Sequence, residues 1–143
     1  MRKKGLRLLS LCLCLTIFLG ATISAQATAK ASDYFARTEV WATKQGSGEF
    51  IVEYDILATD YMDELGASVI MIMEEQSNGT FKNVYTFRSS DKPELIETDT
   101  NNAYGLVTYE GTPGVRYYAL CGLYAKNSAG NETLYFATNT ITA

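Results

Sequence analysis

The stretch that decides the fold class reads Glu49-Phe50-Ile51-Val52-Glu53-Tyr54-Asp55-Ile56. Every second side chain in it is apolar or aromatic, and most of the alternate positions are acidic. Successive side chains of a β-strand point to opposite faces, so this alternation predicts a strand with one buried face and one solvated face. Helical periodicity is almost absent from the chain beyond the N-terminal segment. The sequence therefore predicts an all-β protein.

Similar stretches lie on both sides of residues 49–56, and turn signals such as Asn78-Gly79 separate them. Together they predict seven strands, at residues 34–43, 49–56, 67–73, 81–87, 104–109, 115–125 and 134–141. Seven antiparallel strands in one domain are typical of an immunoglobulin-like β-sandwich, which is the fold we expect. Residues 60–66 are compatible with a short helical turn, and residues 89–102 with a long polar crossover.

The N-terminal segment carries the features of a cleavable secretory signal peptide. Four basic residues within the first seven precede an apolar run from Leu8 to Leu19, and small residues then lead to Ala25-Gln26-Ala27. We predict a signal peptide at residues 1–27, cleavage after Ala27, and a secreted domain at residues 28–143. The apolar run is shorter than the about 20 residues that a membrane span needs, which disfavours a permanent anchor.

Charge and cysteine content narrow the classes of partner and scaffold. Four of the 12 basic residues but none of the 16 acidic ones precede residue 28, so the domain after Ala27 has a net charge of −8. Binding to a phosphate backbone needs clustered Lys and Arg, and we therefore expect no nucleic-acid partner. Cys121 is the one cysteine beyond the signal segment, which excludes an internal disulfide.

The last third of the chain resembles the end of a fibronectin type III module. The resemblance lies in Pro113-Gly114-Val115-Arg116-Tyr117 and in the alternating core positions Ala119, Cys121, Leu123 and Ala125. It implies that Tyr117 is a corner tyrosine, whose hydroxyl bonds to the backbone a few residues upstream.

Residues 31–143 as a whole resemble a family of small secreted proteins of Gram-positive anaerobes, known only as a domain of unknown function. The matching segments are Ala31-Ser32-Asp33-Tyr34-Phe35, Met62-Asp63-Glu64-Leu65-Gly66-Ala67, Gly111-Thr112-Pro113-Gly114, Tyr117-Tyr118, Tyr124-Ala125-Lys126 and Thr138-Asn139. The resemblance implies an extracellular location and a single domain, and it implies no activity.

The sequence contains no recognisable catalytic constellation. There is no histidine, which excludes hydrolases that rely on an imidazole base. With one cysteine beyond the signal segment, the lack of histidine also excludes a structural zinc site. Cys121 occupies an inward position of its predicted strand, so we interpret it as a small buried hydrophobe. A hydrolase built on two carboxylates stays open as a third interpretation, because folding could bring such a pair together.

Acidic side chains near the middle of the chain raise the question of a metal. Asp60, Asp63 and Glu64 form a cluster of oxygen ligands of the kind that calcium prefers. The cluster does not follow the spacing of a calcium-binding loop, and a solvated acidic loop explains it as well. We expect no cofactor, with calcium at these residues as the alternative.

Aromatic side chains give the remaining functional signal. Tyr118, Leu120 and Tyr124 project from the predicted strand 115–125 to the face opposite Tyr117, and Trp41 lies on the first strand. Exposed, they would offer a contact surface for a protein, a peptide or a glycan; alternatively, tyrosines simply cover a sheet face. The sequence thus predicts a non-enzymatic extracellular binding module, with a carbohydrate-binding module as the runner-up.

Overall fold

The computed structural model describes residues 32–143, and this part of the chain is all-β, as predicted. Its strands are β1 (Phe35–Gly46), β2 (Glu49–Glu75), β3 (Phe81–Arg88), β4 (Ile96–Glu110), β5 (Arg116–Asn127), β6 (Gly130–Ala137) and β7 (Ile141–Thr142). One 3-10 turn, Pro93–Leu95, precedes β4, and within residues 32–143 no helix could cross a membrane. The predicted signal peptide, residues 1–27, and its cleavage site at Ala27 lie outside the described residues.

All seven strands belong to one antiparallel sheet, which is open and curled. Strand β2 organises this sheet. Residues 49–57 of β2 lie between β1 and β4, and residues 69–75 lie between β3 and β5. Strands β6 and β7 pair with β5. We call β1, residues 49–57 and β4 the first half of the sheet, and β3, residues 64–75, β5 and β6 the second half.

The strand count of seven is confirmed, but the prediction of separate strands at 49–56 and 67–73 is wrong. No helical turn separates them, because residues 62–66 continue to pair with β4 and keep Met62 and Leu65 buried. The register of β2 shifts against β4 between Leu57 and Met62 and against β5 between Ala67 and Val69. Residues 62–66 are kept extended by β4, and residues 64–66 also by β5, and the local sequence reveals neither partner.

Two other boundaries also differ from the prediction. The polar segment 89–102 is a crossover only up to residue 95, since β4 begins at Ile96. The regular pairing of β6 ends at Ala137, where the predicted last strand divides into β6 and β7. Thr138 still donates its N–H to the Ala119 carbonyl at 2.9 Å. Its hydroxyl accepts a hydrogen bond from the Ala119 N–H at 2.9 Å, where a strand carbonyl would otherwise bond.

The curl of the sheet encloses one hydrophobic core between the inner faces of the two halves. Phe50 in the first half and Tyr117 in the second have ring centroids 5.3 Å apart. The largest fully buried side chains are Tyr54, Tyr117, Phe50, Ile56, Met62, Leu65, Ile70, Ile72, Leu95 and Leu123. Beyond β6, the Asn139 amide bonds to both the N–H and the carbonyl of Ala42, at 2.9 and 3.0 Å. This segment therefore closes against the free edge of β1.

Tyr117 makes the upstream backbone contact that its sequence context predicts. Its hydroxyl accepts a hydrogen bond from the Thr112 N–H at 2.9 Å and donates one to the Glu74 carboxylate at 2.7 Å. Burial is the main cause that raises the pKa of this phenol. The contact fixes the turn before β5 and thereby the register in which β5 presents its outward side chains.

Candidate functional site

Three of the predicted contact residues lie together on the outer face of the second half. Tyr118, Leu120 and Tyr124 alternate along β5 with fully buried neighbours, and all three are half-buried. On β2, Met73 pairs with Tyr118 and Met71 pairs with Leu120, so these methionines share the same face. The predicted strip is thus part of a wider apolar surface.

Two further aromatic side chains, which the sequence analysis did not single out, extend this surface. The Phe81 ring from β3 lies 4.9 Å from the Tyr118 ring in an edge-on arrangement. Tyr135 from β6 is 57% exposed, and its ring lies beside Gly122, where a Cβ atom would approach it to 3.0 Å. We call this surface the apolar face; it comprises Val69, Met71, Met73, Phe81, Tyr118, Leu120, Tyr124 and Tyr135.

Two ion pairs lie at the rim of the apolar face, and the exposed Arg88, the register partner of Val69, forms no ion pair within residues 32–143. Lys126 contacts Glu64 at 2.6 Å at one end, and this hydrogen bond raises the pKa of the lysine. Arg116 contacts Glu75 at 3.0 Å near the other end. The surface is therefore apolar in its centre and nearly neutral at these two ends.

Trp41, the fourth predicted contact residue, does not join the other three. It lies on β1 in the first half, directly opposite Glu53, which in turn pairs with Leu106 of β4. Trp41 is half-buried and Leu106 is 47% exposed. The sequence placed Trp41 on a strand correctly, but which outer face it occupies depends on the pairing of β1 with β2.

The outer face of the first half combines aromatic and acidic side chains. Tyr104 of β4 is 50% exposed and donates a hydrogen bond to Glu53 at 2.6 Å, and this bond is the main cause that raises the tyrosine pKa. Arg37 contacts Asp55 at 3.1 Å and Glu39 at 3.5 Å. We call this surface the acidic face; it comprises Arg37, Glu39, Trp41, Glu49, Glu53, Asp55, Tyr104, Leu106 and Glu110.

The three residues considered for calcium do not form a metal site. Within residues 32–143, no group of three or more Asp, Glu, Cys or His side chains could hold a metal ion. Glu64 is bound to Lys126, and the Asp60 carboxylate accepts the N–H of Tyr61. Residues 60–64 belong to the extended strand β2 and not to a loop that would gather their oxygens around one cation.

Cys121 has the character of a buried hydrophobe, as interpreted from the sequence. It is fully buried, and burial raises its thiol pKa from 9.0 to about 12. A thiol in this state is a poor nucleophile at neutral pH.

Beside β3, a cleft of about 220 Å³ is lined by Tyr85, Thr86, Phe87, Arg88, Asp91 and Lys92, with Asp91 as its single carboxylate.

The chain was compared with protein-family models, with curated proteins and with solved structures, and it matches none of them.

Proposed function

We propose that this chain is a non-enzymatic binding module that acts outside the cell. The observation that carries the proposal is the apolar face, where Tyr118, Leu120 and Tyr124 are joined by Tyr135, which is 57% exposed. Contiguous exposed apolar patches on soluble domains mark contact surfaces. The partner is a protein or a peptide, whose apolar side chains would displace water from this face.

The export of the domain belongs to the same proposal. The basic start, the apolar run and Ala25-Gln26-Ala27 support cleavage of residues 1–27 and export of residues 28–143. An immunoglobulin-like sandwich is the proposed fold class. The core shared by the two halves and the corner contact of Tyr117 support it.

A carbohydrate-binding module is the second candidate. It is favoured by the exposed ring of Tyr135, which lies on the same face as Tyr118 and Tyr124, because an aromatic face can stack on a sugar ring while phenol hydroxyls both donate and accept hydrogen bonds. A hydrolase with a carboxylate pair is the third candidate. Its acids would be those of the acidic face, but Glu53 and Asp55 are engaged by Tyr104 and Arg37 on an open surface, which favours binding.

The test is a pull-down from cell-envelope fractions, run beside a glycan panel. We expect the wild-type chain to retain a partner and the double variant Tyr118→Ala/Tyr124→Ala to lose it. Tyr61→Ala is the matched control, because Tyr61 is 68% exposed and lies outside the apolar face. Equal retention by the double variant and the control would refute the role of the apolar face, and retention of glycans alone would favour the second candidate.

A further inference from the structure

The acidic face is strongly unbalanced in charge. It carries five carboxylates, Glu39, Glu49, Glu53, Asp55 and Glu110, and a single cation, Arg37. Arg37 is held by Glu39 and Asp55. Within residues 32–143, no Lys or Arg forms an ion pair with any of the other three carboxylates.

The pairing of the strands places like charges directly opposite one another. Glu49 of β2 is the register partner of Glu110 of β4, and Glu39 of β1 is the partner of Asp55 of β2. Like charges at such positions destabilise a sheet. Arg37 relieves the second pair, whereas nothing in the described chain relieves the first. Because the repulsion between Glu49 and Glu110 is unrelieved, a cation supplied by another molecule would be attracted to this face.

The hydrogen-bonding chemistry of the acidic face distinguishes between classes of ligand. Carboxylates only accept hydrogen bonds, and the Tyr104 hydroxyl already donates its hydrogen bond to Glu53. Neutral sugars present hydroxyls that need both donors and acceptors. A guanidinium group presents five donors and no acceptor, which matches the oxygens of the five carboxylates on this surface.

The aromatic side chains of the acidic face favour the same ligand. Trp41 and Glu53 are direct cross-strand partners, so their side chains leave the sheet about 5 Å apart. A guanidinium that binds Glu53 therefore reaches the indole face, where a cation is attracted by the ring quadrupole. Arg37, which lies between Glu39 and Asp55, is an internal example of a guanidinium bound on this surface.

We propose that the acidic face is a docking surface for an arginine-bearing basic peptide segment of a partner protein. Glu49, Glu53 and Glu110 would pair with its guanidinium groups, and Trp41 would stack on one of them. This inference rests on the proposed binding function and adds a second surface, with a defined ligand chemistry, to the apolar face.

The test measures binding of a labelled peptide of alternating arginine and serine to the purified full chain by fluorescence anisotropy. The matched probe replaces each arginine by citrulline, which keeps the shape and removes the charge. We expect the arginine peptide to bind and the citrulline peptide not to bind. Raising the ionic strength from about 0.01 M to about 0.15 M should weaken the binding, because exposed charges are screened.

The matched variants are Glu49→Gln/Glu53→Gln on the acidic face and Glu97→Gln on β4 beyond that face. The double variant should weaken arginine-peptide binding by about five- to tenfold, as expected for two exposed ion pairs. Glu97→Gln should leave it unchanged. Trp41→Phe keeps a ring but weakens the cation–π contact, and about a threefold loss is expected.

Several results would overturn the inference. These are equal binding of the arginine and citrulline peptides, equal binding by the double variant and Glu97→Gln, and a neutral glycan whose binding is lost in the Trp41→Phe variant. Because removal of like charges does not threaten the fold, a loss of binding cannot be attributed to unfolding; near-UV circular dichroism checks this. If the arginine peptide fails while the Tyr118→Ala/Tyr124→Ala variant still loses its envelope partner, the binding function stands without this surface.

Discussion

The two outer faces of the sheet share strand β2, yet they present opposite chemistry. In the first half, the outward positions of β2 include Glu49, Glu53 and Asp55; in the second half, they include Val69, Met71 and Met73, with Glu64 and Glu75 at the two ends. The backbone pairing is antiparallel in both halves. One strand can therefore contribute to two chemically different surfaces. Alternation requires only that every second side chain faces outward, and that side chain can be charged or apolar.

A substitution at Gly66, where β2 passes close to Leu95, should give the largest effect on stability. A Cβ atom at Gly66 would lie 2.0 Å from the carbonyl oxygen of Leu95, which also accepts the hydrogen bond of the Tyr54 hydroxyl at 2.8 Å. We expect Gly66→Ala to lower the free energy of unfolding by about 3 kcal/mol or more, since it combines a backbone clash with a positive φ.

Gly79→Ala is the matched control for Gly66→Ala. Gly79 also has a positive φ, but a Cβ atom there meets nothing within 4 Å, so a loss of about 1 kcal/mol is expected. Urea denaturation measures both variants. Equal losses would mean that the close approach of β2 to Leu95 does not hold the halves together.

Tyr54, in the core between the two halves, should make the free energy of unfolding depend on pH under alkaline conditions. Burial raises the pKa of Tyr54 from 10.0 to about 12, so the unfolded chain loses this phenol proton first. Stability from Tyr54 is therefore complete below about pH 10 and is lost as the pH rises towards 12.

The Tyr54→Phe variant tests this dependence by urea denaturation across pH 8 to 12. It should be less stable at neutral pH, because the Leu95 carbonyl loses its partner, and its stability should fall less steeply above pH 10. Cys121 stays in both proteins, so its own raised pKa cancels from the comparison. Parallel slopes for the two proteins would contradict the prediction.

Removal of one carboxylate should raise the free energy of unfolding on the acidic face and lower it at the rim of the apolar face. Glu49→Gln relieves repulsion with Glu110 and should raise the free energy of unfolding by about 0.5 kcal/mol. Glu64→Gln weakens the contact with Lys126 and should lower it by up to about 1 kcal/mol. Thermal denaturation at low salt measures both effects, and added salt should shrink both. If both variants changed the free energy of unfolding in the same direction, the electrostatic difference between the two faces would be refuted.

The smallest expected effect is a local change of pKa on the acidic face. The hydrogen bond to Glu53 is the main cause that raises the pKa of Tyr104. In Glu53→Gln, the Tyr104 pKa should therefore move back towards its ordinary value. A pH titration of the tyrosine ring signals by NMR measures this, with Tyr104→Phe as the assignment control. An unchanged pKa would show that the contact does not persist in solution.

The sequence by itself determined the strand class, the inward residues and much of one surface. Alternation identified Phe50, Val52, Tyr54 and Ile56 as core, placed Cys121 inside, and put Tyr118, Leu120 and Tyr124 on the opposite face of their strand. These predictions succeeded because the period-two orientation of side chains is a local property of an extended chain.

The tertiary structure alone decided which strands meet. It made residues 49–75 one strand by pairing residues 62–66 with β4, separated Trp41 from the tyrosines of β5, and added Phe81 and Tyr135 to the apolar face. It also set Glu49 opposite Glu110 and brought Tyr104 to Glu53. Such neighbours lie tens of residues apart along the chain, and their register follows from hydrogen bonds across the whole sheet, which no local pattern encodes.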